Sequence, residues 1–449
     1  MLVYYTARGT KAPVANICRR DAEGGIVVSV GAYGNTILEI DGALFFKQIE
    51  LLGEIGTDPS GGRTRLALSD QDKCARDLLV QWMKELELDV KIDPVGNIFG
   101  ILYEEDESCA DALMIGSHID TVINAGPLDG VYGVLSGLAV ARAIRDAGVR
   151  PLRPLIVAAF TNEEGVRFQP DMMGSLFFTG GIRLEDVLET RGVDGALFGE
   201  ELRRIEYKGE TEPSSLHPAE YLELHVEQGP ILDGKELDIG VVENLQGISW
   251  KRIEISGTAN HAGTTPVSMR RDAGVAAARI IVFLRDLALA SEGTRTTVGS
   301  LRFFPDAINV IPSKAVLTVD IRDPDDERVV DAESKLLLFL EELRAKEGVE
   351  ITVDNLVRFE PVRFDEELAS VIGNVAKRRG FSSMRITSGA GHDAQMLARV
   401  AKAAMIFVPS RGGISHNPAE YTPDTQLLQG ANVLLDVAAE RLFKERKNA

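Results

Sequence analysis

Residues 112–130 read ALMIGSHIDTVINAGPLDG, and residues 154–168 read PLIVAAFTNEEGVRF. Each opens on an apolar run of the length of a buried strand and then breaks into Gly, His, Asp, Asn and Glu. Between them, VYGVLSGLAVARAIRDA places apolar residues at helical spacing and predicts a helix from Gly130 to Ala147. Strand, helix and strand in that order form a βαβ unit. Repetition of the pattern as far as YLELHVEQG (221–229) predicts a doubly wound, mostly parallel α/β sheet over residues of about 90–245. Open sheets of this kind hold ligands at the carboxyl ends of their strands, and His118 and Glu163 fall there.

Upstream, DGALFFKQIELLGEIG (41–56) and SDQDKCARDLLVQWMKELEL (69–88) repeat apolar residues at i, i+3, i+4 and i+7, the second with Ser69 as N-cap, and predict two amphipathic helices. Downstream, residues 246–359 change character. SWKRIEISG, a helix around 271–290, TTVGSLRFF, AVLTVDIRD, a helix around 326–346 and VEITVDN give the order βαββαβ, a ferredoxin-like α+β sandwich. The domain plan is therefore an extension over 1–38, a first part of the main domain over 39–245, an inserted domain over 246–359 and a second part over 360–449. In the extension, GGIVVSVGAYG reads as a short strand pair of unassigned role.

Composition narrows the function. The 449 residues carry 49 Lys plus Arg against 68 Asp plus Glu, a formal charge of −19, which phosphate backbones and anionic lipid headgroups repel. Nucleic acid and membranes are excluded as expected partners. Cys18, Cys74 and Cys109 are odd in number and lack CxxC spacing, so neither a disulfide framework nor a thiolate zinc site is expected. No apolar run reaches the roughly 18 residues of a membrane span. With no basic-then-apolar leader at the N-terminus, the expectation is a soluble cytoplasmic protein.

Of six histidines, His118 (GSHIDT), His225 (ELHVEQG), His392 (GAGHDA) and His416 (ISHNPAE) lie beside acidic residues or small-residue turns. A lone histidine is ordinarily a hydrogen-bonded structural residue, and the clustering weakens that reading. Asp120 stands two residues after His118, an offset from which its carboxylate could hold the far ring nitrogen of a metal-ligating imidazole. Asp129 could bridge two cations or merely cap the following helix. Glu163 and Glu164 leave a buried strand in adjacent positions and so face different ways, one suited to a metal and one to carrying a proton; the alternative is a solvated pair. Imidazole and carboxylate donors without thiolate suit Zn²⁺ or Mn²⁺, and also Co²⁺ or Ni²⁺. Five such donors suit two ions better than one closed tetrahedral site.

Taken in order, GSHIDTV, GPLDGVYGVLSGL, TNEEGVRF, LHVEQGP, ANHAGTTP, NVIP, SGAGHDA and VPSRGGISHNPAEYT resemble the hydantoinase/carbamoylase branch of the M20 metallopeptidase-like amidohydrolases, from about Glu39 to Arg441. This branch contains N-carbamoyl-L-amino-acid hydrolases, allantoate amidohydrolases and β-ureidopropionases. The resemblance implies that His118, Asp129 and His225 hold one divalent ion and Asp129, Glu164 and His416 a second, with Glu163 as general acid/base. Peptidase relatives carry an acid where this chain has His225, which favours the amidase branch. The resemblance also places Gln228, His261, Asn309 and Arg322 around the substrate. Arg322 would bind a carboxylate through its planar fork, His261 would hold the oxyanion, and the inserted domain would serve as lid and homodimer interface. Without the resemblance, Arg322 reads as a surface partner of the acids in RDPDDE. His392 is read as structural or supporting, and His217 as a surface or capping residue.

The expected function is a binuclear-metal amidohydrolase that takes a small ureido acid, an N-carbamoyl-L-amino acid, to amino acid, CO₂ and ammonia. Allantoate and β-ureidopropionate hydrolysis use the same residues and stay open. A catalytically silent ureido-binding or interaction protein is disfavoured by the intact set of five ligands and Glu163.

Overall fold

The computed structural model of the protein describes residues 17–20, 26–29, 35–103, 109 and 111–443. At the N-terminus, β1 (Ile17–Arg20), β2 (Ile26–Ser29) and β3 (Asn35–Leu38) form an antiparallel three-stranded sheet in chain order. The expected strand pair is thus a meander. Of the quoted segment, the described residues IVVS are strand, and its partners come from the less apolar sequence on either side. The basic tail beyond Phe443 lies outside the described residues.

Both upstream helices form. Gly42–Glu54 is capped by Asp41, which accepts from the Leu44 amide, and Asp70–Glu85 by Ser69, which accepts from the Asp72 amide. The run DVKIDPVGNIFGIL folds into two antiparallel strands, β4 (Asp89–Ile92) and β5 (Ile98–Leu102). Asp93 makes the reversal by accepting from the Val95 and Asn97 amides, a turn that Asp, Pro and Gly favour. The chain then alternates as expected: β6 (Ala112–His118), the helix Val131–Asp146, β7 (Leu155–Phe160), β8 (Pro218–Val226) and β9 (Ile239–Leu245).

Residues Asn244–Arg363 form a compact unit, and the rest of the described chain forms another. In the smaller unit, β10 (Gly247–Ser256), β11 (Arg295–Phe304), β12 (Lys314–Asp323) and β13 (Glu350–Phe359) make an antiparallel sheet in the order β11-β12-β10-β13. Strict alternation of buried and part-exposed residues along β12 turns Ala315, Leu317, Val319 and Ile321 toward the helices Ala273–Leu289 and Asp326–Glu347. Strand order and helix placement are those of a split βαβ sandwich.

β14 (Val362–Arg363), β15 (Ser383–Ser388) and β16 (Lys402–Val408) complete a nine-stranded sheet ordered β14-β9-β16-β8-β6-β7-β5-β4, with β15 paired to β9. Its centre, β16-β8-β6-β7, is parallel, and its flanks are antiparallel. The central strands are buried on both faces, which explains their unbroken apolar sequences. The chain leaves β6 toward β7 on one side and places β8 on the other, so the strand order reverses at β6. A crevice for ligands opens at the carboxyl ends there. The fully buried Arg65 stiffens this edge by donating to the carbonyls of Leu52, Ile55 and Ile119, tying the loop after β6 to the helix Gly42–Glu54.

Candidate active site

Four strand ends converge. His118 is the last residue of β6, His225 the penultimate residue of β8, Glu163 and Glu164 follow β7 by a short turn, and His416 lies in the loop after β16. Asp129 enters just ahead of the helix Val131–Asp146. The cap of that helix is Gly130, at φ 67°, so the Asp129 side chain is not spent on capping. Gly130 is also a steric necessity, since a Cβ there would lie 2.4 Å from the His118 ring.

Asp129 is the hub. Its Oδ1 lies 3.5 Å from His118 Nε2 and 3.2 Å from His225 Nε2, and its Oδ2 lies 3.1 Å from His416 Nε2. Glu164 Oε2 is 3.5 Å from His416 Nε2, and Glu163 Oε2 is 3.5 Å from His118 Nε2. Donors bound at about 2.1 Å to one ion are separated by roughly 3.0–3.4 Å, so these spacings fit two ions that share Asp129. Among the described residues three donor groups form: His118, Asp129 and His225, all buried; Glu223, His225 and His392, also buried, behind them; and Asp129, Glu164 and His416, open to solvent through a half-exposed His416.

The imidazoles present the right nitrogens. His118 Nδ1 donates to the Asp120 carbonyl at 3.0 Å and His225 Nδ1 to the Val226 carbonyl at 2.9 Å, leaving both Nε2 atoms turned to Asp129. The expected carboxylate contact from Asp120 is corrected here, because its Oδ1 stays 3.9 Å from the ring. A two-residue offset lets the nearer main-chain carbonyl reach Nδ1 first. The carboxylate instead accepts from the Glu163 and Glu164 amides, at 3.2 and 3.3 Å. Asp120 therefore orients His118 and both glutamates at once. Glu164 Oε1 and Gln228 Oε1 are buried without a hydrogen-bond partner, as befits a site that expects a cation and a polar ligand.

Electrostatics concentrate on the same atoms. Burial alone would push Asp129 up, but hydrogen bonds from His118, His225 and His416 hold its carboxyl well below the usual range. Burial raises Glu163 well above its ordinary value; His118 opposes, while Glu164, Asp393 and Asp129 add to the rise. Burial and Asp129 push Glu164 up to about 8, and the Asp129 hydrogen bond pushes His416 up to about 9. Asn162, Gln228 and His416 hold positive φ of 58°, 56° and 52°, so each loop stores strain where it meets the cluster.

Of the four residues expected around the substrate, Gln228 is at the cluster, its amide donating to Asp129 Oδ2 at 2.8 Å. His261 and Asn309 are exposed in the smaller unit and are brought together by paired loops, with the Ala262 amide donating to the Asn309 carbonyl. Arg322 is not with them. It pairs across the sheet with Ile248, whereas Lys314, next to the His261 and Asn309 loops, pairs with Ser256. Eight residues of strand separate the two ends, about 26 Å. The Arg322 Nε donates to Asp320, two residues back on the same face.

Behind the donors lies a layer in which the sequence reading placed His392 but missed the acids. Glu223 accepts from Ser117 Oγ, Tyr221 Oη and the Ala394 amide, and the His392 ring lies 4.6 Å from that of His225. Glu420 holds the Leu128 and Asp129 amides. Only burial identifies such acids, because in sequence they look like surface residues. His217 is exposed, as expected.

Comparison with known proteins gives this geometry a family. The chain is 37% identical over 390 residues to the N-carbamoyl-L-amino-acid amidohydrolase of Rhizobium meliloti, covering 87% of this chain and 94% of that one. It is 34% identical over 400 residues to the allantoate amidohydrolase of Bacillus subtilis, covering 87% and 95%. The crystal structure of an amidase of the hydantoinase/carbamoylase family from Burkholderia multivorans superposes with a TM-score of 0.87 at 38% identity, over 91% of this chain and 99% of that one. The profile of peptidase family M20/M25/M40 matches residues 114–440, and with these relatives it establishes that the chain belongs to that family, within its hydantoinase/carbamoylase amidases.

Proposed function

We propose that the protein is a binuclear-metal amidohydrolase that converts an N-carbamoyl-L-amino acid to amino acid, CO₂ and ammonia. The observation that carries this reading is Asp129 set between three imidazole Nε2 atoms and Glu164, with Glu163 beside them. Zn²⁺ or Mn²⁺ suits these donors, and Co²⁺ or Ni²⁺ is compatible. Two such ions would supply carbonyl polarisation and a more acidic water. The rest is the chain's own work. Glu163, buried and raised, takes one proton from the attacking water and returns it to the departing nitrogen. Gln228 turns its amide toward the substrate side of Asp129, and Arg322 receives the substrate carboxylate.

The test is a panel of carbamoyl amino acids, their carboxamides, allantoate and β-ureidopropionate, assayed by ammonia release before and after chelation. Carbamoyl acids should be the best substrates, chelation should abolish turnover, and added Mn²⁺ or Zn²⁺ should restore it. Arg322→Lys keeps the charge but loses the fork, and should weaken the acids by about 1.5–3 kcal/mol, read as a raised KM. Carboxamides that turn over as well as the acids, or an unchanged KM in Arg322→Lys, refute the carboxylate anchor. The allantoate amidohydrolase among the relatives supports a second reading, and allantoate outpacing every carbamoyl amino acid would select it.

We infer further that the protein works as a homodimer through the Asn244–Arg363 unit, which acts as lid. The separation of Arg322 from His261 and Asn309 supports this, since one small substrate cannot touch both ends of a strand some 26 Å long. A second copy would supply His261 and Asn309. Mixing His261→Ala with Glu163→Gln should then regain about a quarter of parental activity, because half the dimers are mixed and each holds one intact site. No recovery on mixing refutes the shared site.

A further inference from the structure

Glu420 stands four residues after His416, in a stretch, NPAEYT, that reads as an ordinary loop. It is nonetheless 5% exposed. One carboxylate oxygen, Oε2, accepts from the Leu128 amide at 2.7 Å and the Asp129 amide at 3.3 Å, and the other accepts from Ser415 Oγ at 3.2 Å. Its packing leaves no slack, since a Cβ on Gly126 would come within 2.3 Å of the Glu420 Cβ. A buried carboxylate beside a second one is costly, and a loop of this kind could be pinned by a neutral acceptor at lower cost. What the placement achieves is specific. The loops after β6 and after β16 carry Asp129 and His416, both irregular and remote in sequence, and Glu420 fastens the main chain of the first to the second.

We propose that Glu420 is the positioning residue for the shared carboxylate, fixing the Asp129 main chain against the His416 loop so that Asp129, Glu164 and His416 are preorganised for their ion. The proposal rests on the reading of Asp129 as a shared ligand. His118 and His225 stand on strands and need no such support, so loss of Glu420 falls most heavily on the second ion, with a smaller effect on the first, which shares Asp129. Residues that orient ligands from behind are typically worth about 10–100-fold in metal affinity.

The test is calorimetric titration of metal-free protein with Mn²⁺, beside the thermal midpoint of the metal-free forms. Glu420→Ala should bind the second ion about 10–100-fold more weakly and the first with a smaller loss. Glu420→Gln, which keeps an oxygen for the two amides, should recover most of that loss. Thr422→Val removes a buried hydrogen bond to the Pro409 carbonyl in the same loop without touching Asp129, and should lower the midpoint while leaving both affinities unchanged. Parental binding of both ions by Glu420→Ala overturns the proposal, as does equal weakening by Thr422→Val. A Glu420→Ala chain that does not fold also overturns it, because the side chain would then serve the fold rather than the ion. Asp129→Ala, run alongside, separates the two ideas. If it still binds two ions, the shared-ligand reading fails whatever Glu420 does.

Discussion

Asp129→Ala is expected to lose both ions and all measurable turnover, a larger effect than removal of any one of His118, Glu164, His225 or His416. The reason is topological as well as chemical. Its two oxygens face different partners, Oδ1 toward His118 and His225 and Oδ2 toward His416, so one truncation strips a donor from both groups. A terminal ligand such as His416 belongs to one group only, and its loss leaves the His118 and His225 pair intact. Charge reinforces the difference. Asp129 holds its proton off more firmly than its neighbours do, with three imidazoles stabilising the anion, and is the strongest fixed negative charge among the donors. Metal catalysis supplies several kcal/mol of charge stabilisation, so the rate should fall by roughly 10³-fold or more. Metal content by elemental analysis, with ammonia release on the same samples, checks this. An Asp129→Ala protein that retains two ions, or a His416→Ala protein that loses both, contradicts the shared-carboxylate arrangement.

Much of this geometry was legible because strands buried on both faces cannot hide. LMI and LIVAAF are apolar throughout, the chain turns polar where the sheet ends, and donors gathered at those ends must meet. The fold of Asn244–Arg363 was legible for the same kind of reason, since the two-residue alternation in AVLTVDIRD admits one buried face. What stayed hidden depends on main-chain atoms or on distance. That a carbonyl rather than the Asp120 carboxylate would hold His118 Nδ1 follows from loop conformation, which residue types do not encode. Glu223 and Glu420 are buried by segments far away in sequence, so no local pattern marks them. Arg322 and Asn309 are near neighbours in sequence but are parted by the length of β12, a separation that a motif read along the chain compresses.

Glu163→Gln is expected to keep its metal and lose its rate, and Glu164→Gln to do the reverse. The two residues are adjacent and equally acidic, and both have amides anchored to Asp120, so any difference between them comes from where their carboxylates point. Glu164 Oε2 faces His416 within a donor group, and its other oxygen is buried without a partner, a wasteful arrangement unless a cation completes it. Glu163 Oε2 faces His118 instead, in a pocket where burial and the charges of Glu164, Asp393 and Asp129 favour its protonated form. A carboxyl group poised in that way can take a proton and give it up again within one turnover, which an amide of the same shape cannot do. General acid–base catalysis is typically worth about 10² to 10⁴ in rate, and a group used in both directions should lie at or above the upper end. The effect should fall on kcat, with KM little changed, because Glu163 is not among the residues placed on the substrate. Glu164→Gln should instead raise the metal concentration needed for half-maximal activity and approach parental turnover once that concentration is supplied. Metal titrations of both variants followed by rate and by elemental analysis decide the matter. A Glu163→Gln enzyme with near-parental kcat, or a Glu164→Gln enzyme that holds metal as the parent does but turns over no faster than Glu163→Gln, would show that the division of labour between the two glutamates is not the one their geometry implies.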